Sequence, residues 1–119
     1  PMSQAVFLSM AKAIDYLGDA SNAQQLLGTL ESTLETEVPS IAAAIESQDF
    51  SHLQKIWHQL KGFAPVFCHD QLVAEIVQTE TLCQRIQLQD EQSAALNASA
   101  QLLTHLQELL TEVKAQRAS

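Results

Sequence analysis

The stretch DFSHLQKIWHQLKGFAPVF, residues 49–67, decides the fold. Within it Phe50, Leu53, Trp57, Leu60, Ala64 and Phe67 recur at alternating steps of three and four. That period puts them on one face of an α-helix. Asp49 stands just ahead, where a carboxylate can accept from the free N–H groups of a first helical turn. Pro65 should bend or loosen the last turn, because it brings no N–H to the ladder.

Working outward, the same period recurs on both sides. Upstream, Ser21 and Gln24 have the spacing of a capping box. They open a helix expected to run to about residue 47, with Leu26, Leu27, Leu30, Leu34, Val38, Ile41 and Ile45 as its apolar stripe. Pro39 interrupts that helix and should bend it. A first helix is expected over 3–17 on Val6, Met10, Ile14 and Leu17, stopped by Gly18. Downstream, a fourth helix should start near Asp70 and carry Leu72, Ile76, Val77, Cys83 and Ile86. Asp90 is the expected cap of a fifth, striped by Leu96, Ala100, Leu103, Leu106, Leu110 and Val113. Four long helices with short connections, each apolar on one face, predict an all-α fold. The economical packing is an antiparallel up-down four-helix bundle, with the short N-terminal helix packed across one end.

Composition narrows what such a bundle can do. The 119 residues read as a single domain over 1–119, with Pro1-Met2-Ser3 as a cloning remnant or disordered start. Only three glycines and three prolines punctuate it, too few for the turns of an all-β fold. The net charge of −8 argues against nucleic acid and anionic membranes as partners. No apolar run reaches the ~20 residues of a membrane span. No leader peptide is evident, and the two cysteines form neither a CxxC motif nor a disulfide framework. A reducing, cytoplasmic setting is expected. No glycine-rich phosphate loop is present, so no kinase activity of its own is expected.

The other face of the 49–67 helix is the candidate site. Residues three and four from His58 are Gln54, Lys55, Lys61 and Gly62, with Ser51 and Pro65 beyond. None is a large apolar residue, so His58 should project into solvent. Lys55 and Lys61 are the only cations between residues 13 and 84. Two ammonium groups beside one imidazole suit a bound phosphoryl group and an acidic partner. Gly62 costs the helix roughly 1 kcal/mol relative to alanine and clears space beside the ring. An imidazole titrates near ~6.5, so much of it is nucleophilic at cellular pH. Phosphoryl transfer to it needs mainly positioning and charge.

The run His58-Gln59-Leu60-Lys61-Gly62-Phe63-Ala64 resembles the His-x-Leu-Lys-Gly signature of histidine-containing phosphotransfer (HPt) domains. Upstream, Glu37-Val38-Pro39, Ala44-Ile45, Gln48-Asp49-Phe50, Leu53 and Ile56-Trp57 are similar to that family's approach to its histidine. The resemblance covers roughly residues 14–113. It departs at Phe63, where the family usually has a small residue, at Cys68, where it usually has glycine, and at Pro65.

The resemblance implies a monomeric phosphoryl carrier, not an enzyme. His58 would take a phosphoryl group on its distal ring nitrogen from a receiver-domain aspartate and pass it to another. Lys61 and Gly62 would assist it. Gln54, Lys55 and Gln59 would contact the receiver, and Phe63 would either add an apolar contact there or pack inward beside Phe67. A hybrid sensor histidine kinase in cis is a further candidate partner. No cofactor is expected on this chain, magnesium being the receiver's.

Plainer readings stand beside these. Standing alone, His58 would be an ordinary surface histidine, and Lys55 is as readily a solubilising lysine. The domain could instead be a non-phosphorylated binding module that docks receivers or helices. A kinase dimerisation module usually has an acidic residue after its histidine, where Gln59 stands here. Cys68-His69-Asp70 poorly matches zinc-ligand spacing, so no metal site is expected. His52 and His105 read as surface residues, and Trp57 as core.

Overall fold

The computed structural model describes residues 5–119. It is all-helical, with α1 (Met10–Leu17), α2 (Ala20–Ser47), α3 (Phe50–Phe67), α4 (Asp70–Gln84) and α5 (Gln89–Ala118), and no strand among the described residues. Around the bundle, α2 packs on α3 and α5, α4 packs on α3 and α5, and α1 rests on α2 and α3. The 30 residues of α5 at ~1.5 Å each span about 45 Å. That matches the 46 Å long axis.

The helix that decides the fold forms as its period dictates. Asp49 accepts from the His52 N–H and caps α3. Leu53, Ile56, Trp57, Leu60, Ala64 and Phe67 are buried, and Phe50 is half-buried. The helix runs through Pro65 to Phe67. Cys68 closes it by donating its N–H to the Ala64 carbonyl. Cys68 leaves the helix in extended conformation (φ −114°), so no glycine is required there. Gly18 does take the left-handed conformation (φ 75°) and ends α1 with its N–H on Ile14. α2 continues through Pro39, which is exposed, so water can reach the carbonyl it leaves unbonded.

Several expectations are corrected. The first helix starts at Met10, not residue 3. Residues 3 and 4 lie outside the described residues. The backbone N–H groups of Val6, Phe7 and Leu8 all donate to the Glu112 carboxylate at 2.7–3.0 Å. Leu8 also pairs with Cys68, through Ser9 N–H to Phe67 and His69 N–H to Phe7. These tertiary bonds outbid a helical turn, and Ser9 becomes the cap. Phe7, Leu8 and Ala13 are buried, while Val6 and Ile14 are exposed.

The capping box expected at Ser21 is replaced by Asp19, whose carboxylate reaches the N–H groups of Ser21 and Asn22. At α5 the cap position is Leu88, not Asp90. Leucine offers no acceptor, so Glu91 folds back to take the N–H groups of Gln87 and Leu88.

The buried line of α5 is also rotated from the expected stripe. It runs Ala95, Ser99, Leu102, Leu106, Leu109 and Val113, leaving Leu96, Leu103 and Leu110 half-buried and Ala100 exposed. The small residues Ala95 and Ser99 turn inward where α5 faces Trp57, whose indole N–H donates to Ser99. Two further expected core residues, Leu26 and Val77, are exposed.

Candidate functional site

His58 stands on the outward face of α3, its side chain 67% exposed, opposite the buried line of Trp57 and Leu60. Its Nδ1 lies 2.8 Å from Oε2 of Glu80. Glu80 comes from α4, and its side chain is only 6% exposed. The other carboxylate oxygen, Oε1, sits 2.8 Å from Nζ of Lys61. One buried carboxylate thus holds two side chains of the neighbouring helix, one on each oxygen. A buried charge is tolerated when it is paired and hydrogen-bonded in this way.

The contact with Lys61 holds the Glu80 carboxyl below the usual carboxylate range. Burial opposes that effect, and the bond from His58 adds to it. The sign of the pH dependence follows. A carboxyl depressed in the folded state stabilises the fold above its unfolded value. That contribution is lost as pH falls through the folded value. Between about pH 7 and about pH 3, denaturant unfolding should lose stability more steeply for wild type than for Glu80→Gln, which has no carboxyl to titrate at that position. Equal slopes would remove Glu80 from that balance.

The residues singled out in the sequence are not all brought to one point. Lys61 is at the site, as the partner of Glu80. Lys55 is exposed and forms no ion pair among the described residues. Gln59 and Gly62 are exposed, and Gln54 is half-buried. A Cβ built on Gly62 would meet nothing within 4 Å. The absence of a side chain there therefore answers no packing need inside the chain.

Phe63 does two things. Its inner edge joins the core beside Leu60 and Ala64. Its outer edge lines an apolar groove of about 390 Å³ with Tyr16, Leu26, Leu30 and Val66.

Glu80 is the site residue the sequence reading missed. The available signal was a carboxylate on the inward line of α4, between Ile76 and Cys83, both of them buried. Two of the other three histidines have side-chain partners. His52 meets Ser40 Oγ at 2.9 Å, and His105 pairs with Glu75 at 2.7 Å while stacking on Phe7. Burial raises the Cys68 thiol to about 12, which leaves it unreactive.

The family model described as Hpt domain matches residues 25–116, most of the chain. The chain belongs to the Hpt domain family. That family works in histidine phosphotransfer within phosphorelays, with receiver domains as partners. No curated protein and no solved structure matches this Hpt chain. No helix among its described residues is long and apolar enough to cross a membrane.

Proposed function

We propose that His58 carries the phosphoryl group of a multistep phosphorelay, taking it from one receiver aspartate and giving it to another. The observation that carries this reading is the ring itself. It is two-thirds exposed in mid-helix, with Nδ1 tied inward to Glu80 and Nε2 without a hydrogen-bond partner among the described residues. Nε2 is then the attacking atom, and the positive charge of Lys61 lies one turn away, on the same carboxylate. The chain acts as a carrier with no kinase activity of its own and holds no cofactor. Magnesium belongs to the receiver.

The layout in this reading is an antiparallel up-down bundle of α2 to α5 with α1 across one end. The short connections at 48–49 and 68–69 support antiparallel neighbours. The receiver docks a monomer in the cytoplasm, against the exposed face of α3. Gln54, Lys55 and Gln59 offer polar contacts, and Phe63 leads into the apolar groove with Tyr16 and Leu26. A hybrid sensor kinase carrying this domain in cis fits the same surface.

Incubation with a phosphorylated receiver tests the reading. The chain should acquire a label that is lost in acid and kept in base, as a phosphorus–nitrogen bond requires. Absence of label, or one that survives acid, would defeat it.

Gly62 supplies a second test. In Gly62→Leu the new Cβ meets nothing within 4 Å and a poor helix former gives way to a good one, so stability should hold or rise by about 0.5–1 kcal/mol. Transfer should nevertheless slow about tenfold or more, because a branched side chain now stands where the partner must approach. Transfer at the full rate would show that the bare backbone gives no access.

A further inference from the structure

We propose that residues 5–17 form an arm latched by Glu112, and that the latched arm is the state in which a receiver docks. Glu112 is then a positioning residue for docking, away from the reacting atoms. The inference rests on the carrier reading and on the groove beside Phe63, and it adds a control over both.

The arm has a hinge, a latch and a working edge. Its hinge is Gly18, in left-handed backbone (φ 75°) between α1 and α2, where a built Cβ meets nothing within 4 Å. Its latch is the Glu112 carboxylate on α5. That group accepts from three consecutive backbone N–H groups, Val6 on Oε2 at 2.7 Å, and Phe7 and Leu8 on Oε1 at 3.0 and 2.9 Å. Bonds to an ionised acceptor are stronger than neutral ones. They seat Phe7 against the His105 ring, 5.1 Å between centroids, and Leu8 across from Cys68. Ser9 joins this strap to α1, because its hydroxyl caps the helix at the Lys12 N–H. The seat of the strap therefore fixes where α1 begins. A depression of about 690 Å³, lined by Val6, Leu8, Glu108 and Glu112, runs beside the latch and opens it to water.

The working edge is at the other end of α1. Tyr16 and Leu17 line the groove of about 390 Å³ together with Leu26, Leu30, Phe63 and Val66. Phe63 is five residues past His58, about 7.5 Å along α3. With the arm latched, the groove has walls on α1, α2 and α3. With the arm released, the α1 wall leaves, while His58, Lys61 and Glu80 keep their places on α3 and α4. Losing a contact made equally in the bound and transition states weakens binding and spares the chemical step.

Glu112→Ala removes the latch without touching the groove or His58. The two thiols report the result in the intact chain. Cys68 is buried where it pairs with Leu8, and Cys83 is buried against Ser99 in the bundle core. Maleimide labelling, read by peptide mass, should speed up about 10- to 100-fold at Cys68 and stay unchanged at Cys83, because only a local opening is eased. Glu112→Gln keeps one acceptor oxygen and should fall between. Phe7→Ala frees the strap from its other side and should give the same pattern as Glu112→Ala. With a phosphorylated receiver as donor, KM should rise about tenfold in Glu112→Ala while the limiting rate stays within about twofold.

Unchanged Cys68 labelling in both Glu112→Ala and Phe7→Ala would overturn the latch. So would Cys68 and Cys83 accelerating together, since Glu112 would then brace the whole bundle. Eased opening with an unchanged KM would overturn the control over docking. A wild type that accepts no phosphoryl group defeats the carrier reading and the docking role with it, and the thiol rates still decide whether the arm is latched.

Discussion

His58→Gln should fold as the wild type does and take up no label from a phosphorylated receiver. The side chain is largely in solvent and contributes nothing to the buried line of α3, so its removal opens no cavity. Glutamine can still donate an amide N–H toward Glu80, so the buried carboxylate need not lose its partner. Stability should change by no more than about 0.5–1 kcal/mol. What disappears is the imidazole nitrogen on that face. An amide nitrogen has its lone pair delocalised into the carbonyl and cannot attack phosphorus, so labelling should drop below detection. The measurement pairs the label with an unfolding curve. Retained labelling on a folded variant would transfer the acceptor role to His52, His69 or His105. Of these, His105 is held against Glu75 and Phe7, and His52 against Ser40.

The largest effect on stability should come from Trp57→Ala, beside His58 in sequence but on the buried face of the helix. Trp57 is fully buried and heads the largest side chains of the core. Its indole N–H donates to Ser99 of α5, and Ser99 in turn lies 3.7 Å from the Cys83 thiol of α4. Truncation removes the largest core residue and the first link of that chain. The expected loss is about 3–5 kcal/mol. Against the roughly 5–15 kcal/mol of a typical domain, this is a large fraction, and it should lower the melting temperature by roughly 10–20 °C. Trp57→Phe retains much of the volume and should cost distinctly less. Thermal unfolding of the two variants decides. A loss under about 1 kcal/mol for alanine would mean the indole is not what joins α3 to α5.

These two residues also mark how much was legible in advance. Trp57 and His58 are adjacent, and the 3.6-residue period puts Trp57 on the apolar line of α3 and His58 off it. Lys61 and Gly62 follow from the same period, since residues three and four apart share a face. The family resemblance rests on these positions, and the match over residues 25–116 agrees with it.

Glu80 was not legible in the same way. Its tie to His58 crosses 22 residues of sequence and two helices, and no local spacing encodes it. The contact between Lys61 and that carboxylate was hidden for the same reason. The segment ahead of α1 failed similarly. Val6 and Ile14 have helical spacing, but the carboxylate that captures Val6, Phe7 and Leu8 comes from Glu112 at the far end of the chain.

By itself the sequence determined the number and kind of helices, the buried face of α3, and the exposure of one histidine beside a lysine and a glycine. These properties follow from backbone periodicity and from the free energy of removing apolar side chains from water, both of which act over a few residues. Tertiary structure alone decided which leucine line of α5 turns inward, where α1 begins, and which atom faces each nitrogen of the His58 ring. Those outcomes depend on groups distant in the chain competing for the same donors and the same space, and only packed helices bring those groups together.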